Sequence, residues 1–231
     1  MTGIQALMGG FGNFFSIWQV CILQISPFFM FFIVGLYLVG YRGQGAPCLQ
    51  ARVLLPSLSY LIGFSILFAP LNARGWSIGR EIAYNLSVLG LASGWFLLVV
   101  SLYFLLSGRV DWPEGFRGKW VGTGMAFLIG CAFSFVYSPC ITPELSIILG
   151  IGSRPETALE GAFYAFFYGS GMSFAMGLVA YALIFALKDW LIRRQRLVLD
   201  VCGGVLVVLA GLNVSGVMVY YKAFILGFLV P

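Results

Sequence analysis

Six apolar stretches, each long enough to cross a bilayer, constrain the fold of this chain more than any other feature. They run at about 14–40, 53–71, 82–107, 121–151, 159–187 and 199–221. A spanning helix needs about 20 apolar residues, and short connections at 41–52, 72–81, 108–120, 152–158 and 188–198 separate the runs. Hydrocarbon offers no partner to a free N–H or C=O, so a run of this kind folds as a helix. Composition agrees, with 61% hydrophobic and 9% charged residues against about 25% charged in a soluble domain. The expected fold class is therefore an all-α integral membrane protein, a single domain over residues 1–231. Met1–Asn13 lacks the basic region of a cleavable signal, so the first apolar segment is expected to persist as a helix, its Gly-rich opening a short interfacial stretch. The tail after Lys222 is apolar but too short for another crossing.

Charge sets an expected orientation. Nine of the thirteen Lys and Arg fall in the loops after segments one, three and five: Arg42, Arg52, Arg109, Arg117, Lys119, Lys188, Arg193, Arg194 and Arg196. Arg74, Arg80, Arg154 and Lys222 fall on the other side. The positive-inside rule then puts the richer loops in the cytoplasm and both termini outside a cell membrane. A net charge of +5 built this way marks topology, so no nucleic-acid partner is expected; the lipid bilayer is the partner the composition implies.

An internal repeat is visible. Ser26-Pro27 is followed by Gly63-Phe64-Ser65, and Ser138-Pro139 by Gly171-Met172-Ser173, with 36 residues from proline to glycine in one half and 32 in the other. Each half, about 14–107 and 121–222, holds three spans. An odd number per half makes the halves inverted. Helices 1 and 4 are expected to break at their Ser-Pro, because proline removes a backbone donor and clashes with the preceding turn. Paired breaks in inverted halves point to a site near the midplane, at the repeat interface.

The densest chemistry lies at the second break, Ser138-Pro139-Cys140-Ile141-Thr142-Pro143-Glu144. A thiol beside a new helix N-terminus meets a partial positive charge that favours the reactive thiolate. Glu144 is an acid inside an apolar run, which is expensive and marks a functional candidate. It is placed to relay a proton for the thiol, to hold a cation, or to cap the second half-helix. Cys140 and Glu144 are thus the candidate catalytic pair, with Pro27, Pro139 and Pro143 as helix breakers. The other cysteines, Cys21, Cys48, Cys131 and Cys202, read first as small buried hydrophobes. No histidine occurs, which rules out His-ligated haem, His metal sites and a His acid or base. There is no CxxC, phosphate loop, catalytic triad or metal-ligand cluster, so no metal or cofactor is expected.

With these residues in view, the sequence resembles the CcdA/DsbD transmembrane family of thiol–disulfide electron transporters, which includes cytochrome c biogenesis proteins. The likeness rests on Ser138-Pro139-Cys140-Ile141-Thr142-Pro143 with the Ile147–Gly150 run, on Arg52–Leu55 with Gly63–Phe68, and on the glycine-rich Gly203–Leu212. It implies that reducing equivalents pass from a cytoplasmic thioredoxin, through one cysteine per inverted half, to an extracytoplasmic thioredoxin-like partner. Cys140 matches the second-half cysteine, but Phe28 stands at the first-half position and Phe31 where a proline is expected. Cys21, two helical turns before Phe28, is the candidate second thiol. Two other readings stay open: an inverted-repeat transporter of a metal ion or small solute using Cys140 and Glu144, and a noncatalytic subunit or assembly factor of a larger membrane redox complex.

Overall fold

The computed structural model describes residues 1–15, 20–41, 50–107, 109–110, 119–136, 142–217 and 220, and the side chains of 20–25, 27, 41, 50, 51, 119 and 136 lie outside that description. Every regular element among the described residues is helical, and none is a strand. In chain order the helices are α1 (Gly3–Phe14), α2 (Val20–Tyr41), α3 (Leu55–Leu71), α4 (Ser77–Tyr84), α5 (Leu86–Ser107), α6 (Lys119–Val136), α7 (Pro143–Gly152), α8 (Ala158–Arg193) and α9 (Gln195–Val214). A π-helical turn, Gln50–Leu54, leads into α3, and a 3₁₀ turn, Pro155–Thr157, into α8. Four of these stretches are long and apolar enough to cross a membrane: Arg52–Leu71, Leu86–Ser107, Pro155–Arg193 and Gln195–Val214. Phe28–Gly40, Trp120–Phe135 and Pro143–Gly152 are shorter apolar helices. The chain is an all-helical protein of membrane type.

Three expectations need correction. α2 is continuous from Val20 to Tyr41, so the helix is not interrupted at Ser26-Pro27. A proline costs a helix one donor, and neighbouring groups in a bundle can re-satisfy the freed carbonyl. α1 ends at Phe14 with Phe15 as its C-cap, and α2 is described from Val20; residues 16–19 lie outside the described residues. The expected loop 72–81 contains most of α4, an amphipathic eight-residue helix. Its C-terminus is closed by Asn85, whose side-chain amide donates to the Glu81 carbonyl at 3.0 Å. The expected loop 188–198 is also largely helix, since α8 runs to Arg193. With 36 residues, α8 is about 54 Å long at 1.5 Å per residue, well beyond a straight crossing. In the second half, α6 is described as far as Val136 and α7 from Pro143; residues 137–141, Ser138 and Pro139 among them, lie outside the described residues.

Small residues decide how the helices meet. α3 packs on α6 and α8, α1 on α8, and α5 on α9 and α6. At the α3–α6 crossing a methyl group on Gly63 would strike the Phe127 carbonyl, and one on Gly130 the Tyr60 carbonyl. At the α1–α8 crossing Gly10 faces the Tyr168 carbonyl and Gly171 the Leu7 carbonyl in the same manner. Lipid supplies no hydrophobic drive for helix association, so close backbone approach and hydrogen bonds take its place. Ser134 Oγ donates to the Phe64 carbonyl at 2.8 Å, Ser170 Oγ to Ser65 Oγ at 3.0 Å, and Asn213 Nδ2 to the Gly90 carbonyl at 2.9 Å. Aromatic rings fill the space left over. Phe29 meets Tyr60 at 4.5 Å between centroids, and a stacked file runs Tyr60, Phe64, Phe68 and on to Tyr168 of α8. That file delivers the Tyr168 hydroxyl to the N-terminus of α7.

Candidate functional site

α7 begins where its sequence says a helix should. Thr142 has an extended backbone and its Oγ1 accepts from the Leu145 N–H at 3.1 Å, while Pro143 occupies the first helical position, where a missing donor costs nothing. Glu144 follows in the first turn, where the helix dipole favours a negative charge. Two other helices converge on this end. The Asn13 side-chain amide, in the last turn of α1, donates to Glu144 Oε2 at 3.1 Å and reaches the Tyr168 hydroxyl at 3.2 Å and Thr142 Oγ1 at 3.4 Å. The Thr142 and Tyr168 hydroxyls share a hydrogen bond at 3.3 Å. Thr142 and Tyr168 are each 2% exposed, whereas Glu144 is partly exposed. The site is thus a polar knot joining α1, α7 and α8, dry on one side and open at the carboxylate.

α1 is built to end there. Its start is fixed by a capping box in which the Gln5 N–H donates to Thr2 Oγ1 at 3.3 Å and the Thr2 N–H to Gln5 Oε1 at 2.8 Å. Gly10 then brings it against α8, and Gly9 leaves room for Glu144, whose Cγ lies 3.2 Å from where a Cβ at position 9 would be.

Of the candidate residues, Glu144 and Pro143 are thus placed at the start of α7, and Pro27 lies within the continuous helix α2. Pro139 and Cys140 lie outside the described residues, as does the Cys21 side chain. Phe28 is 6% exposed, inside the main apolar core. Cys202 is fully buried, and Cys131 is half-buried with its Sγ 3.4 Å from the Gly63 carbonyl, both as small interior residues. Among the described residues no three Cys, Asp or Glu side chains converge as metal ligands would. Asn13, Tyr168 and Gly9 were not singled out by the sequence. One signal existed for Tyr168, which abuts the small-residue run Gly169-Ser170-Gly171 of the apparent repeat. None existed for Asn13, whose partner is 131 positions away.

Comparison with known proteins adds one likeness. Over 188 residues, 78% of this chain and 77% of the other, the sequence is 22% identical to a protein of Halalkalibacterium halodurans named "Cytochrome c-type biogenesis protein CcdA". No family model matches the chain, and no solved structure matches it.

Proposed function

We propose that this protein belongs to the thiol–disulfide redox system of cytochrome c biogenesis and passes reducing equivalents across the cell membrane. The observation that carries the reading is the likeness to the protein named CcdA, which extends over more than three quarters of both chains. In this reading six spans form two inverted three-helix repeats with both termini outside. The two glycine crossings support the inversion: Gly63 of α3 meets α6 as Gly171 of α8 meets α1, and these two glycines are the paired positions of the Gly-x-Ser repeat.

Cys140, two residues before the Thr142 cap, is the working thiol. Its proton passes to the Glu144 carboxylate, and the thiolate attacks a disulfide of an extracytoplasmic thioredoxin-like partner. One S–S bond forms between Cys140 and the partner as the partner's own S–S bond breaks, and the leaving thiolate takes up the proton. A second thiol then resolves the mixed disulfide, releasing the reduced partner. Phe28 excludes position 28 for that role, which leaves Cys21 as the candidate within this chain. A cytoplasmic thioredoxin regenerates the dithiol by the reverse exchange.

A partner whose resolving cysteine has been removed tests this. It is expected to form a reductant-sensitive adduct with the membrane protein, absent from Cys140→Ala. Unimpaired cytochrome c maturation in Cys140→Ala would overturn the proposal.

A further inference from the structure

We infer that Asn13 and Gly9 of α1 form a cradle that sets the position of the Glu144 carboxylate, which makes both of them positioning residues for the proton transfer proposed above. The inference rests on that reading and adds to it a part of the chain that no motif marks. Asn13 and Gly9 lie one turn apart on the same face of α1, the face turned to the start of α7. Asn13 supplies the donor: its amide nitrogen sits 3.1 Å from Glu144 Oε2. That nitrogen has two hydrogens for three nearby oxygens, and a bond to an ionised carboxylate is the strongest of the three on offer. Gly9 supplies the space, because a Cβ there would lie 3.2 Å from Glu144 Cγ and 3.6 Å from its Cβ. The donor fixes the direction of the side chain and the missing side chain fixes its depth.

Asn13 is not the sole anchor of α1, which is also held at Gly10 and Gly171, where the α1 and α8 backbones touch, and by the apolar contacts of Ala6 and Phe14 with the core. A purely structural role for Asn13 would therefore show as lost stability, whereas a positioning role shows as lost rate on a helix that stays docked.

The experiment measures the rate at which reduced Cys140 exchanges with the disulfide form of a thioredoxin-like protein, in the full chain in native membranes, across partner concentration. The variants are Asn13→Leu, Gly9→Leu, Asn13→Gln, Glu144→Gln and the double variant Asn13→Leu/Glu144→Gln. Asn13→Leu and Gly9→Leu are expected to lower the maximal rate about 10-fold or more, a modest share of what a positioned acid or base contributes. The half-saturating partner concentration and the melting temperature should hold, and Asn13→Gln should recover part of the rate. Asn13→Leu should cost nothing further once Glu144 is already Gln, since residues acting through one group are not additive. Equal losses from Asn13→Leu in both backgrounds would overturn the inference, as would unchanged rates in both α1 variants while the parent protein exchanges. A parent protein whose Cys140 never exchanges overturns the underlying reading instead, and the inference falls with it.

Discussion

Thr142 carries two duties at once, and they can be separated. Its Oγ1 accepts from the Leu145 N–H as the cap of α7 and also shares a hydrogen bond with the Tyr168 hydroxyl. Thr142→Ala removes both, at a cost of about 1 kcal/mol for the cap alone, and should lower the melting temperature in detergent. Thr142→Ser keeps the oxygen and should retain most of the stability. Tyr168→Phe keeps the ring stacked on Phe68 and removes only the hydroxyl, so it should cost less than Thr142→Ala; a larger loss would show that the hydroxyl, rather than the cap, holds this corner together. The proline and the threonine were legible in the sequence because capping is local. Glu144 was legible too, as an acid in an apolar run, but its partner was not. Asn13 lies in the Gly-rich opening and meets Glu144 only after α1 has docked on α8, so no spacing announces the pair.

At the level of elements, hydropathy found what length alone can find. α3, α5, α8 and α9 lie in long apolar runs, so length and hydropathy together suffice to mark them. The end of α1 at Phe14 carries no local signal, because Phe14 and Phe15 are as apolar as a span. The sequence of α4 reads as loop because Arg80 and Glu81 interrupt so short a helix. Ser26-Pro27 misled in the other direction, since a proline signals a weakened helix without dictating that it stops. The contacts between elements rest on glycine, and this gives a contrast to test. Gly63→Ala and Gly171→Ala place a methyl group against a backbone carbonyl, which forces two helices apart; overpacking of this kind costs about 1–3 kcal/mol. Gly124→Ala and Gly204→Ala enter open space and gain up to about 1 kcal/mol of helix propensity. Thermal unfolding of the four single variants should sort them into these two classes, and equal effects across all four would remove the crossing argument.

For the whole molecule, the described contacts tie one end of the bundle together. The Gly75 N–H donates to the Gly152 carbonyl at 2.8 Å, which joins the α3–α4 connection to the α7–α8 connection. Arg74, Arg80 and Arg154 lie at this end, and Lys188, Arg193 and Arg194 lie at the far end of α8, 30 or more residues along it from Ala158. The proposed orientation puts the first group outside and the second in the cytoplasm. Single cysteines introduced at Ser153 and at Arg194, in a chain freed of its own cysteines, should be labelled by an impermeant maleimide from outside and from the cytoplasm respectively. The opposite pattern would invert the proposed direction of electron flow. The central claim, however, is that Cys140 changes redox state, and one measurement reaches it directly. Thiols in native membranes are alkylated with one reagent, then reduced and alkylated with a second, and the peptide containing Cys140 is read by mass spectrometry with the cytoplasmic thioredoxin system supplied and withdrawn. The account predicts that Cys140 takes the first label when reductant is supplied and the second when it is withdrawn; a Cys140 that takes the same label in both conditions would contradict it.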